Sequence, residues 1–156
     1  MKKILAFSLA VLMLFSAAFM TGCKEKTSIN AEGFKSAMEA KGFAVADASE
    51  QFADVNEITC VYIALLGEGD HQIEFYELDS DDSARRLFAG NKNIFEQSIT
   101  GNHAESSVSL ANYDKYTLTN NGAFMLLSRI DNTLVYVNSP SEYKDEINSI
   151  LKEIGY

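Results

Sequence analysis

The side chains in this sequence that could do acid–base, nucleophilic or metal chemistry are few and scattered. His71 and His103 stand at loops or strand ends, and Cys60 lies in an apolar run. None has a second His, Cys or carboxylate at ligand spacing on one helix face, so both histidines are expected in exposed loops and no metal site is expected. Cys60 reads as an inert thiol within a strand. The acidic run Asp79, Asp81, Asp82 has the composition of a calcium loop. Such a loop needs Gly at its sixth position and Glu at its twelfth, where this chain has Ala84 and Gly90. A helix start explains the run better, with Ser80 as N-cap and carboxylates where the helix dipole favours them. No Gly-x-Ser-x-Gly turn, phosphate loop or His-Glu-x-x-His helix is present, so neither a catalytic residue nor a cofactor is assigned.

The elements that would position these groups are legible from periodicity and caps. Ile29–Phe34 reads as a helix start with Asn30 as N-cap and Ile29 and Phe34 as a hydrophobic staple; Phe34, Ala37 and Met38 form its buried stripe and Gly42 ends it. Phe43–Val45 reads as a short strand or extended segment, and Asp47–Asn56 as a short helix or turn. Ile58–Leu66 and Gln72–Leu78 form a hairpin around Gly67–Asp70. Ala84, Leu87, Phe88, Asn91 and Phe95 continue the second helix to about Ser98. Ile99–Ser106 reads as a polar loop. Ser107–Asn112, Tyr116–Thr119, Ala123–Ile130 and Thr133–Asn138 then form a meander, with Asn121-Gly122 and Asp131-Asn132 at its turns. Ser139-Pro140-Ser141-Glu142 has the signature of an N-cap, an N1 proline and a Glu at N3, opening a last helix that buries Tyr143, Ile147, Ile150, Leu151 and Ile154. The expected fold is α+β, an antiparallel sheet of about five or six strands with helices packed mainly on one face.

The N-terminus supplies an address. Lys2-Lys3 precede Ile4–Phe19, in which only Ser8 and Ser16 are not apolar, the make-up of a secretory signal and short of the ~20 residues of a membrane-crossing helix. Met20-Thr21-Gly22-Cys23 follows, and this stretch resembles the lipobox of bacterial lipoproteins. The resemblance implies cleavage after Gly22, acylation of Cys23, and a chain held by lipid on the extracytoplasmic side of a bacterial membrane. The expected organisation is a signal peptide at 1–22, a lipidated cysteine and short tether at 23–28, and one α+β domain at 29–156. Loss of Lys2 and Lys3 from the 13 basic residues leaves 11 against 22 acidic ones, a formal charge of −11. That balance argues against nucleic acid as a partner. With Cys23 acylated, Cys60 is the one remaining thiol and no internal disulfide can form.

A two-residue turn at Asp131-Asn132 sets Arg129 opposite Leu134, Leu127 opposite Tyr136 and Met125 opposite Asn138 on one side of the sheet. Phe124, Leu126, Ile130, Val135 and Val137 fall on the other side, the natural floor for helices. Met125, Leu127, Arg129 and Tyr136 are then either covered by the Ala44–Asn56 segment or partly open as a candidate binding face, since arginine and aromatic residues are enriched at binding hot spots. The resulting expectation is a membrane-anchored binding or scaffolding module of the cell envelope, with an envelope protein or a small ligand as partner and no enzyme activity. An envelope enzyme with a non-motif site and a small-ligand sensor or inhibitor domain are the alternatives.

Overall fold

The computed structural model describes residues 25–66 and 71–156. The segment read as a signal peptide, Cys23 and the loop read at Gly67–Asp70 lie outside the described residues. The chain runs α1 (Ala31–Ala40), β1 (Ala44–Asp47), a 3-10 turn (Ser49–Phe52), β2 (Ile58–Leu66), β3 (His71–Leu78), α2 (Asp81–Gln97), β4 (His103–Ser109), β5 (Tyr113–Asn120), β6 (Ala123–Ile130), β7 (Thr133–Pro140), a second 3-10 turn (Ser141–Tyr143) and α3 (Lys144–Glu153). The seven strands form one sheet in the order β1-β2-β3-β7-β6-β5-β4, antiparallel throughout. The fold is α+β.

Of the three helices among the described residues, two share a face, as the apolar patterning implies. Phe34 and Met38 of α1 and Ile147, Ile150 and Leu151 of α3 pack with Phe75, Phe124, Leu126, Val135 and Val137 of the sheet. Phe34 stacks on Phe75 with ring centroids 4.8 Å apart, both fully buried. The other face has its own core, in which Ala84, Phe88 and Phe95 of α2 cover Val61, Tyr76, Tyr116, Leu118, Leu127 and Leu134. Strands buried on both faces explain why β2 and β6 read as near-continuous apolar runs.

Local signals account for most element ends. Asn30 Oδ1 accepts from the Gly33 amide at 2.8 Å, and the Glu77 carboxylate accepts from the Ala31 amide at 3.0 Å, satisfying two orphan donors of α1. Gly42, at φ +88, reverses the chain after that helix. Ser80 caps α2 by accepting from the Ser83 amide at 3.2 Å. Asn121 and Gly122 both have positive φ, and β5 pairs with β6 from Asn120 opposite Ala123 onwards, so this turn has two residues.

Three expectations change. The strand read from Ser107 starts earlier, so His103–Ser106 is strand where a polar loop is read; all seven residues of His103–Ser109 are exposed and pair with β5, so backbone hydrogen bonds and not burial hold it. Ser139 does not cap a helix. Pro140 pairs with Ala123 as the last residue of β7, and α3 begins after Tyr143 without a side-chain cap. The tether is also shorter than read: from Lys26 the chain lies on the domain. The Asn112 amide donates to the Lys26 carbonyl at 2.7 Å, and Lys26 Nζ donates to the Gly155 carbonyl at 2.9 Å.

Candidate functional site

The face carrying Met125, Leu127, Arg129 and Tyr136 keeps the register read from the Asp131-Asn132 turn, but it is not a surface. Arg129 pairs with Leu134, Leu127 with Tyr136 and Met125 with Asn138. Over them lies α2, not the Ala44–Asn56 segment. Phe95 sits 5.3 Å from Tyr136, ring centroid to centroid, and Ser98 Oγ lies 3.9 Å from Met125 Sδ. Leu127 and Arg129 are 0% exposed, and only Met125 and Tyr136 keep partial exposure. A partner cannot reach Leu127 or Arg129 in that position, so the four residues do not form one open face.

What fixes Arg129 there is two carboxylates and one backbone carbonyl, each from a different element. Its Nε donates to Asp114 Oδ2 at 2.6 Å, from the facing position on β5. Its Nη1 donates to the Asp81 carboxylate in the first turn of α2 and to the Asp131 carbonyl at 2.9 Å. Asp81 also receives Arg85 Nε at 3.0 Å, and Arg85 Nη1 lies 3.7 Å from Asp114. Two arginines and two aspartates thus join the start of α2 to β5, β6 and the β6–β7 turn. The acidic run is a helix N-terminus whose second aspartate ties that helix to the sheet.

The groups considered for metal chemistry are not brought together. His71 is buried, against the expectation of an exposed loop residue: its ring stacks on Tyr143 at 4.0 Å and meets Phe43 edge-on at 5.9 Å. The apolar α3 face and the first turn after β7 close over the start of β3, which a sequence read strand by strand does not reveal. His103 is exposed at the start of β4, the far edge of the sheet. Cys60 is half-buried, 3.8 Å from Ser49 Oγ, and burial pushes its thiol up. Among the described residues no group of three or more His, Cys, Asp or Glu side chains is placed to hold a metal ion.

A small cavity lies beside the N-terminal half of α2. It has a volume of about 190 Å³ and is lined by Val55, Glu57 and Ile58 from the connection into β2, by Leu78, and by Ser83, Arg86 and Leu87 of α2. The backbone that shapes it is pinned, with the Asp79 amide donating to the Glu57 carbonyl at 2.9 Å and the Ile58 amide to the Val55 carbonyl at 3.0 Å. Arg86 Nη2 donates to Ser83 Oγ at 2.9 Å, and Ser83 and Ser80 share a hydrogen bond at 2.8 Å. Hydrogen bonds from Ser83 and Ser80, with Arg86 nearby, hold the Asp79 carboxyl below its usual range. The cavity is therefore lined mostly by apolar side chains, with one cation, Arg86, and one acidic residue, Glu57. It lies below the roughly 300–1,000 Å³ of pockets that enclose drug-sized ligands. Sequence reading missed it because its walls come from three separate segments, none bearing a motif.

Set beside known proteins, the chain matches no family model, no curated protein and no solved structure. The class that the fold defines is an α+β domain with a seven-stranded antiparallel sheet.

Proposed function

We propose that this chain is an exported lipoprotein, held by an acylated Cys23 on the extracytoplasmic face of a bacterial membrane, whose single domain binds or scaffolds a component of the cell envelope. The observation that carries this reading is the Gly22-Cys23 junction directly after a basic start and an apolar run. A domain whose described contacts begin within a few residues of that cysteine suits display at a membrane surface. The most concentrated polar group, Arg129 with its aspartates, is occupied in bracing α2, which supports a binding or scaffolding role over catalysis. Intact-mass analysis of protein extracted from its own membranes tests the reading: loss of residues 1–22 with lipid on Cys23 is expected, and a water-soluble product beginning elsewhere overturns it.

The cavity beside α2 favours a second reading, a sensor of a small anionic ligand seated on Val55, Ile58 and Leu87 with its charge toward Arg86. Ligand-induced protection of the folded domain against denaturant is its test.

A further inference from the structure

We infer that the domain stands on its membrane in one orientation, with the Asp131-Asn132 end of the sheet toward the bilayer and the Asn121-Gly122 end away from it. The inference rests on the acylation of Cys23 proposed above, and its force comes from the chain that follows.

That chain is not a free leash. The Lys26 carbonyl accepts from Asn112 Nδ2, and the Lys26 ammonium lies 4.0 Å from the Tyr113 ring centroid while donating to the Gly155 carbonyl. Burial lowers the Lys26 ammonium from its ordinary value, as expected of a group set into the domain. Ile29 then packs against the core cluster that contains α1 and α3. Only three peptide steps separate Cys23 from Lys26, a reach of at most about 11 Å.

The surface that receives Lys26 is itself rigid. Asn112 Nδ2 also lies 3.1 Å from Asp131 Oδ1, and the Asp131 amide donates to the Asn112 carbonyl at 2.9 Å. Asn132 exchanges hydrogen bonds with Leu78 at 2.8 and 2.9 Å, and Asp79 with Glu57 completes the line at 2.9 Å. One ribbon of hydrogen bonds thus runs from the docked chain across the end of four strands to the start of α2. A lipid fixed within about 11 Å of one end of that ribbon brings this end of the sheet to the bilayer. The opposite end lies seven residues of strand away along β5, about 23 Å.

Charge does not produce this orientation. The end so placed carries the exposed Asp79, Asp81 and Asp82, which an anionic bilayer repels, so the docked chain must impose it. The far end presents the β5–β6 turn, the start of β4 and the first turn of α3, and is the end an envelope protein would meet.

The test uses the acylated protein with Cys60→Ser, in which the lipid occupies the Cys23 thiol, and a donor fluorophore on a single introduced cysteine, either Asp82→Cys or His103→Cys. In phosphatidylcholine vesicles holding an acceptor-labelled lipid, energy transfer several-fold more efficient from position 82 than from position 103 is expected. Equal transfer from the two, with lipid verified on Cys23 by intact mass, overturns the orientation and leaves the anchor standing; no lipid on Cys23 overturns both. Adding Lys26→Ser and Asn112→Ala should narrow the difference, and an undiminished difference would show that the docked chain does not set it.

Discussion

Replacing Arg129 by alanine should unfold this domain more readily than any other single change to a charged residue. The side chain is 0% exposed, and three of its five N–H donors are matched: one by Asp114, one by Asp81 and one by the Asp131 carbonyl. The two on Nη2 have no partner among the described residues, so this guanidinium is not ideally solvated by protein even in the native state. Removing one member of a buried ion pair costs about 3–5 kcal/mol, mostly because the other is left unpaired. Here Asp114 keeps a hydrogen bond from Ser109 Oγ and has Arg85 at 3.7 Å, which places the expected loss near the lower end, about 3 kcal/mol. Asp81→Ala should cost less, about 1–2 kcal/mol, since that carboxylate is 47% exposed and Arg129 retains two partners. The double variant Arg129→Met with Asp114→Leu removes both charges and refills the space with apolar atoms. It should fall within about 2 kcal/mol of the parent, far less than additive losses would give. Urea denaturation of the domain, followed by far-UV circular dichroism, measures all four. A loss below about 1 kcal/mol for Arg129→Ala, or a double variant as poor as the sum of its singles, would refute the brace and imply that water reaches the site.

Phe34→Ala should lose about 3–5 kcal/mol by emptying a site that is closed on all sides and stacked on Phe75, as read by the same urea titration. Asn30→Ala should cost about 1 kcal/mol through the lost cap on α1, and Asn30→Gly only a few tenths, a contrast that thermal unfolding resolves. Stability should also fall steeply above pH 10. The hydrogen bond to the Glu32 carboxylate, with burial, raises the Tyr62 phenol to about 12, and burial raises those of Tyr76, Tyr116, Tyr136 and Tyr156. The folded state then holds protons that the unfolded state releases from about pH 10, so this stabilisation is complete below pH 10 and is lost as pH rises through the folded values. Urea midpoints at pH 8, 10 and 11, beside tyrosinate absorbance, check it, and Tyr62→Phe should soften the fall. Cys60 should react with a thiol reagent more slowly in the folded domain than in denaturant, because burial disfavours its thiolate; equal rates would contradict its packing.

The sequence made the architecture legible where burial writes a period or a turn demands particular residues. The β6–β7 register follows from a two-residue Asp131-Asn132 turn, and the structure pairs Ile130 with Thr133 accordingly. The candidate site failed for a different reason. Arginine and tyrosine among apolar neighbours have the same composition at a hot spot and in a braced interior. What separates the two is whether carboxylates face the arginine from inside the same domain. That information was present. With Asn121-Gly122 taken as the whole turn, Asn120 faces Ala123 and Asp114 faces Arg129, which assigns the guanidinium an intramolecular partner from register alone. Starting that strand at Tyr116, beyond Asp114, hides the pair.

The other misreadings share one physical cause: apolar periodicity reports burial, not hydrogen bonding. Strand β4 buries no residue and so has no period, yet each of its residues from His103 to Ser109 has a partner on β5. The Ser139-Pro140 pair shows the converse, a local signature overruled by the sheet. As an N-cap, Ser139 would have to release β7 one turn earlier; instead Phe124 faces Ser139 and Ala123 faces Pro140, and the Ser141 amide donates to the Gly122 carbonyl at 2.7 Å. A cap is worth about 1 kcal/mol, whereas ending β7 early would unpair the buried Ser139 from Phe124. Proline is tolerated at that place because, as the last residue of its strand, it need not donate to the ladder. The same competition explains why Ser80 does cap α2. There β3 ends at Leu78, whose amide and carbonyl are taken by Asn132, the Asp79 amide goes to the Glu57 carbonyl just ahead of β2, and Ser80 pairs with no strand.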